Sequence, residues 1–325
     1  MNLLKKQFVM FNLLILISIC FLPLVSTGTF ENETEKKSEQ YSYLLDPLPD
    51  YFSWKDYQRK DLTTSAKDQS EFGYCGSCWA FAPIGMLESV IKIREGNAEF
   101  NPDLSEQYII SCHGAGNIKG RGCCGGYPTD VFQFIIDTTQ EGNNCNGVVL
   151  ESYFPYSARR FHYVPCSNLI DGWEEHIIPI ADWGYKILNK SNGERDWIKR
   201  TIMDQGPVVA DIVVPLFLYS PKVPLIDPLH RWGYNNHDSD AYFPSGRTCS
   251  IAGHVVCIVG WKDDDSIQNG GYWICKNSWG TDWGYDGFAN IEYGSMNIDK
   301  SRFPFDGFIL WVDYNPDDYA WPFEK

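Results

Sequence analysis

The sequence predicts an α+β protein, helical in its first half and built from strands in its second. Three observations carry this. Between Cys78 and Arg94, the apolar residues Trp79, Ile84, Leu87 and Ile91 recur at roughly helical spacing. From about Asp171 the texture changes to short alternating segments rich in aromatic residues, the pattern of strands. Hydrophobic residues make up 44% of the 325, enough to bury the core of one large or two ordinary domains. A formal charge of −15 argues against a general nucleic-acid binder, which needs clustered Lys and Arg.

Residues 1–28 read as an export signal. Lys5 and Lys6 precede a mostly apolar run from Phe8 to Val25, and Ser26, Thr27 and Gly28 suit cleavage. That run is long enough to act as an anchor if it is not cleaved; Pro23 favours cleavage, and Cys20 is an apolar filler within it. Residues 29–47 are polar, a linker or short pro-segment. Asn32-Glu33-Thr34 and Asn189-Lys190-Ser191 are glycosylation sequons. Of eleven Cys, ten follow the leader, a density that points to disulfides and an oxidising compartment.

Leu48 to Trp54 reads as an extended segment. The helix from Cys78 to about Arg94 carries Glu88 in its interior and Pro83 near its first turn, where proline costs least. Cys78 therefore stands at a helix N-terminus, where backbone N–H groups and the dipole stabilise a thiolate. A second helix runs from Asn192 to Gln205, with Asn192 as its cap and Trp197, Ile198 and Ile202 on one side. Gly206-Pro207 ends it and opens a strand. Residues 216–248 form a Pro-, Asp- and aromatic-rich insertion. His254 opens the apolar strand that follows, and Tyr272–Cys275 and Gly287–Ile291 supply two more. After Tyr293 no assignment is made.

Three runs stand in order: Gln69 with Cys75-Gly76-Ser77-Cys78-Trp79, then Gly253-His254-Val255, then Lys276-Asn277-Ser278-Trp279-Gly280 with Trp283-Gly284. Between them lie Leu104-Ser105-Glu106-Gln107, Gly122-Cys123-Cys124-Gly125-Gly126-Tyr127-Pro128 and Gln205-Gly206-Pro207-Val208. From about Leu48 to about Tyr293 the chain resembles the papain-like cysteine peptidases. The resemblance implies a two-lobe fold with a cleft between the lobes. The peptidase domain would span 48–315, with a helical lobe at about 60–170, a β-rich, barrel-like lobe at about 171–300 plus 48–59, and a tail at 316–325. Relatives usually carry a long helical pro-segment, and the space before Leu48 is too short for one.

The resemblance also implies roles. Cys78 is the expected nucleophile, His254 the base and then the acid, and Asn277 the group orienting the imidazole under Trp279. Gln69 and the Cys78 backbone N–H would hold the oxyanion. Gly125 and Gly126 would let an extended substrate backbone approach, with Tyr127, Pro128 and Asp211 lining the pocket for the second residue upstream of the cut. An acid in that pocket would favour basic side chains. Implied bridges are Cys75–Cys123 and Cys112–Cys166; Cys124 and Cys145 are extra to that pattern and are expected to pair. Cys257 and Cys275 read as buried thiols, and Cys249 is left over. Cys75, Cys78, Cys123 and Cys124 have the ligand count for zinc, but a zinc site would consume the nucleophile, so no metal or cofactor is expected.

These readings point to an exported endopeptidase, a monomer acting on peptides or proteins, secreted or held in a lysosome-like compartment, with no stable membrane association once the leader is cleaved. Three rivals stand beside it. The spacer Ser70-Glu71-Phe72-Gly73-Tyr74 resembles the mini-loop of cathepsin X, a carboxypeptidase, but the carboxylate-binding His used there is absent and Glu71 would repel a C-terminal carboxylate. Gly253 replaces an acidic or amide residue, as in cathepsin B. A non-catalytic peptide-binding relative would usually have lost one of Gln69, Cys78, His254 or Asn277. A disulfide-rich adhesion protein would leave three ordered signatures unexplained.

Overall fold

Helix α1 (Cys78–Glu95) is buried along almost its whole length and on every side, from Trp79 to Lys92. The apolar stripe read from the sequence therefore understates it. The computed structural model describes residues 47–113, 122–136, 147–159, 162, 164–189, 194–215, 242–243, 251–300 and 307–321. The leader, Cys145, Cys249 and nearly all of the 216–248 insertion lie outside them. Pro83 falls in the second turn of α1, one turn later than expected, so the Trp79 carbonyl loses its intrahelical donor. Gly96 ends the helix at φ 65°, the left-handed conformation that glycine adopts at least cost.

Two short helices pack on one side of α1. In α2 (Glu106–Cys112), Ser105 caps the start by accepting from the Tyr108 N–H at 3.0 Å. Helix α3 (Pro128–Ile136) opens on proline and buries Val131, Phe132 and Ile135. The Cys75–Cys123 and Cys112–Cys166 bridges both form, so Cys75 and Cys123 are not available as zinc ligands. The Cys124–Cys145 pairing lies outside the described residues, because Cys145 does. Cys257 and Cys275 are buried free thiols.

The other side of α1 faces a sheet. Its strands are β1 (Tyr51–Ser53), β4 (Asp182–Ile187), β5 (Val208–Pro215), β6 (Tyr242–Phe243), β7 (Ile251–Asp263), β8 (Gly271–Lys276), β9 (Phe288–Glu292) and β10 (Phe308–Asp313); β2 (Val148–Val149) and β3 (Ile177–Ile178) pair separately. The order is β4-β10-β5-β7-β8-β9-β6, with β1 alongside β7. The sheet is open across the described residues, so the barrel-like lobe expected from the sequence is instead an open, mostly antiparallel sheet. Strand β7 is buried on both faces. Val255, Cys257 and Val259 join the core shared with α1, while Val256, Ile258 and Trp261 face a second core on the far side. Double burial explains its nearly unbroken apolar sequence.

Helix α4 (Arg195–Gln205) covers that second core through Ile198 and Ile202, with Trp197 edge-on to Trp311. It begins at Arg195, and the predicted cap Asn192 lies outside the described residues. Beyond Tyr293, β10 inserts between β4 and β5, and Trp321 packs on Phe100 and donates to the Tyr314 hydroxyl at 3.1 Å.

Where β1 crosses β7, Ser53 stands opposite Gly260. A Cβ at position 260 would run into the Phe52 carbonyl and come within 2.7 Å of Ser53 Cα. Gly260→Ala is expected to destabilise the fold by about 1–3 kcal/mol, the usual cost of overpacking. Urea unfolding measures this, and an unchanged midpoint would contradict it.

Candidate active site

Cys78 is the first residue of α1 and a free, half-buried thiol. The loop leading to it is pinned by the Cys75–Cys123 bridge and by Gly76 N–H donating to the Cys123 carbonyl at 2.9 Å. Any side chain at 76 would press on that carbonyl. The backbone N–H groups of Val255, Trp79 and Cys78 itself point at the sulfur and favour the thiolate. Burial outweighs them and, with Asp211 nearby, pushes the thiol up to about 11. The Val255 contact seats the sulfur against β7, one residue from His254.

His254 is buried, 5% exposed. Its Nε2 lies 2.8 Å from Asn277 Oδ1, which also accepts the Ser278 N–H at 2.9 Å. That second bond identifies Oδ1 as an acceptor, so Nε2 carries the proton and Nδ1 is left as the basic nitrogen. Asn277 is itself held by its N–H on the Gly287 carbonyl at 3.0 Å. The Trp279 ring stacks on the imidazole, centroids 4.7 Å apart and planes 20° apart, and is braced edge-on by Trp283.

Gln69 is buried and clamped at both ends of its amide. Nε2 donates to the Cys75 carbonyl at 2.7 Å and Oε1 accepts from Ser278 Oγ at 2.7 Å. Its own carbonyl accepts from Tyr156 Oη at 2.6 Å. Sequence reasoning missed Ser278 and Tyr156 as the groups that set this side chain. Ser278 lies inside the Asn-Ser-Trp run and could have been read there; Tyr156 carries no local signal.

The glycine turn behaves as its residues demand. Gly125 sits at φ 97°, and a Cβ on Gly126 would meet the Trp79 indole at 2.5 Å. Tyr127 is 70% exposed, whereas Pro128 is buried as the first residue of α3. Asp211 stands on β5 opposite Val255, the residue that touches the sulfur. Burial raises its carboxyl to about 7, against one favourable N–H from Ile212. The structure thus brings together Cys78, His254, Asn277, Trp279 and Asp211 around β7, with Gln69 joined to them through Ser278. In the spacer before Cys75, Glu71, Phe72 and Tyr74 are exposed.

Behind these residues lies an ion cluster, buried at Glu88 and Glu106 and open at Asp103, that the sequence marked only by Glu88. Lys67 Nζ meets Glu88 at 2.8 Å, Glu106 at 3.1 Å and Asp103 at 2.7 Å. Thr64 bridges Glu88 Oε2 and Lys276 Nζ at 2.7 and 2.6 Å. Among the described residues there is no group of His, Cys, Asp and Glu that could hold a metal.

Comparison with known proteins gives the family. A family model described as papain family cysteine protease matches residues 48–222 and 230–303. A cysteine protease of Blomia tropicalis is 29% identical over 265 residues, 79% of this chain and 65% of the relative. Cathepsin S of Bos taurus is 29% identical over 263 residues, covering 79% and 64%. The chain thus spans 65% and 64% of the lengths of these two relatives. The structure of digestive procathepsin L2 proteinase from Tenebrio molitor larval midgut superposes with a TM-score of 0.53 at 25% identity, over 82% of this chain and 69% of that one.

Proposed function

The chain belongs to the papain family of cysteine proteases, and from that premise we propose that it is an exported endopeptidase cutting peptide bonds through a Cys78 thioester. One observation carries the reading: the orientation of His254. With Nε2 committed to Asn277 Oδ1, Nδ1 is the nitrogen that takes the Cys78 proton. The half-buried thiol does not ionise alone near neutral pH, since desolvation pushes it up to about 11. Transfer to His254 creates thiolate and imidazolium together, and their attraction offsets the desolvation of each. The thiolate attacks the scissile carbonyl. The Cys78 N–H and the remaining N–H of Gln69 Nε2 then stabilise the oxyanion. His254 returns the proton to the leaving amine, and water hydrolyses the thioester.

Endopeptidase action is favoured because the spacer before Cys75 presents an exposed Glu71 where a carboxypeptidase needs a positive partner for the substrate's terminus. The leader at 1–28, the polar stretch at 29–47 and the two bridges support secretion or a lysosome-like destination, with peptides or proteins as partners. Among the described residues no helix is long and apolar enough to cross a membrane.

Two experiments test this. Iodoacetamide should label Cys78 at pH 6, and His254→Ala should cut the rate by ~10²–10⁴-fold, with labelling recovering only as pH climbs toward 11. Equal labelling in the variant would remove the ion pair. The Asp211 pocket should prefer Arg over Leu at the second upstream position only when the carboxyl is ionised. The ratio of the two kcat/KM values should therefore rise as pH passes about 7 and stay flat in Asp211→Asn; a flat ratio in the parent enzyme excludes that pocket.

A further inference from the structure

Asn277 holds His254 with its oxygen, but its nitrogen is unaccounted for. Nδ2 is buried with no hydrogen-bond partner among the described residues, in a side chain only 5% exposed. An amide N–H stranded in a core costs about 1–3 kcal/mol, and buried polar groups without a protein partner are commonly met by an ordered water.

The space for one exists. A cavity of about 10 Å³ lies between α1 and the active-site end of the sheet, lined among others by Gly85, Glu88, Glu106, Lys276 and Asn277. That volume is at the lower end of what a single water needs. Its chemistry is complementary. Lys276, 6% exposed, hydrogen-bonds only Thr64 among the described residues and stands 4.0 Å from Glu88 Oε2, so its ammonium has donors to spare. Glu88 and Glu106 are almost wholly buried carboxyls with acceptor capacity. A water there could accept from Asn277 Nδ2 and Lys276 Nζ and donate to the two carboxyl groups, filling all four of its positions.

We propose that this cavity binds one water molecule, and that Lys67, Glu88, Glu106 and Lys276 act through it as positioning residues for Asn277. The cluster is well suited to hold a fixed donor and acceptor pattern. Burial alone would raise Glu88, but Lys67 and Lys276 keep it below its usual range, whereas burial prevails at Glu106 and pushes it up. Lys67 in turn is tied to the Leu104 carbonyl at 2.8 Å, so the charged groups are fixed to the backbone. With Nδ2 anchored on the cavity side, the Asn277 amide resists rotation and Oδ1 stays on His254. The inference rests on the reading of Asn277 as the group that orients the imidazole.

Gly85 offers the test. A Cβ there would sit 3.2 Å from Lys276 Nζ, at the cavity wall, and alanine favours a helix interior over glycine. A high-resolution crystal structure of the wild-type enzyme should show one ordered water within hydrogen-bond distance of Asn277 Nδ2; a dry cavity overturns the site. Gly85→Ala should change Tm little, its helix-propensity gain offsetting the stranded amide, lower kcat by roughly tenfold with KM little changed, and move the pH midpoint of Cys78 labelling upward. Gly85→Ser, whose hydroxyl can replace the water, should restore much of both. Equal kcat and labelling midpoints in wild type and both variants overturn the coupling. If wild-type Cys78 resists labelling altogether, the catalytic reading fails instead, while the crystallographic result still decides the water.

Discussion

Oδ1 of Asn277 accepts two hydrogen bonds, one from the His254 ring and one from the Ser278 backbone, and the arrangement of the site follows from that pair. The backbone bond cannot be supplied by the other end of the amide, so it sets which end of the side chain faces the imidazole. The imidazole tautomer follows, and with it the nitrogen left to act as a base. Trp279 lies flat over the ring and limits the water that could compete for the bond. In that sheltered setting a hydrogen bond is electrostatically stronger than at the surface. Ser278 then reaches Gln69 through its hydroxyl, so consecutive residues after β8 orient the imidazole and the Gln69 amide.

The same region carries a large electrostatic cost. Glu88 and Lys276 are charged and almost wholly buried, Glu106 is pushed toward its neutral form by burial, and Cys78 is a half-buried thiol that must become charged to react. A helix N-terminus and three N–H groups do not overcome burial at the sulfur. The remedy differs by site. The carboxylates meet lysines directly, Lys67 spanning both Glu88 and Glu106. The sulfur instead needs a partner that becomes charged when it does. That contrast separates an ion cluster that fixes α1 to the sheet from a pair held in reserve for chemistry.

The sequence exposed this architecture unevenly. Cys78 at a helix start was legible because its neighbours Gly76 and Trp79 have strict local roles: Gly76 lies under the Cys123 carbonyl and Trp79 under Gly126. The reach of α1 into the core was not, since a helix buried on all sides has no polar face to set a period, and only four of its apolar residues fit the expected stripe. Glu88 marked where an ion partner was needed without naming Lys67 or Lys276, which are distant in sequence. The tail was illegible for a related reason. Strand β10 lies between β4 and β5, and its pairing depends on strands roughly a hundred residues or more away. Asn192, a cap by residue type, lies outside the described residues; the residue before α4 is Glu194, whose carboxylate engages the Asn189 backbone and side chain.

An acidic chain that buries carboxyls acquires a pH preference of its own. Burial raises Asp211 and Glu151 to about 7 and pushes Glu106 up as well. Their folded pKa values lie above the unfolded ones, so between roughly pH 4.5 and 7 the folded state binds more protons than the unfolded chain, and stability falls as pH rises through that window. Glu88 and Glu194 run the other way. Their lysine partners depress them, so their contribution disappears only as pH drops below the ordinary carboxylate range. The two groups together place the most stable state on the acid side of neutrality, where Asp211 is also uncharged and least opposes the thiolate. The urea midpoint should be higher at pH 5 than at pH 7.5, and Glu151→Gln should narrow that difference; a midpoint that climbs with pH across this range would show that other titrations govern the fold.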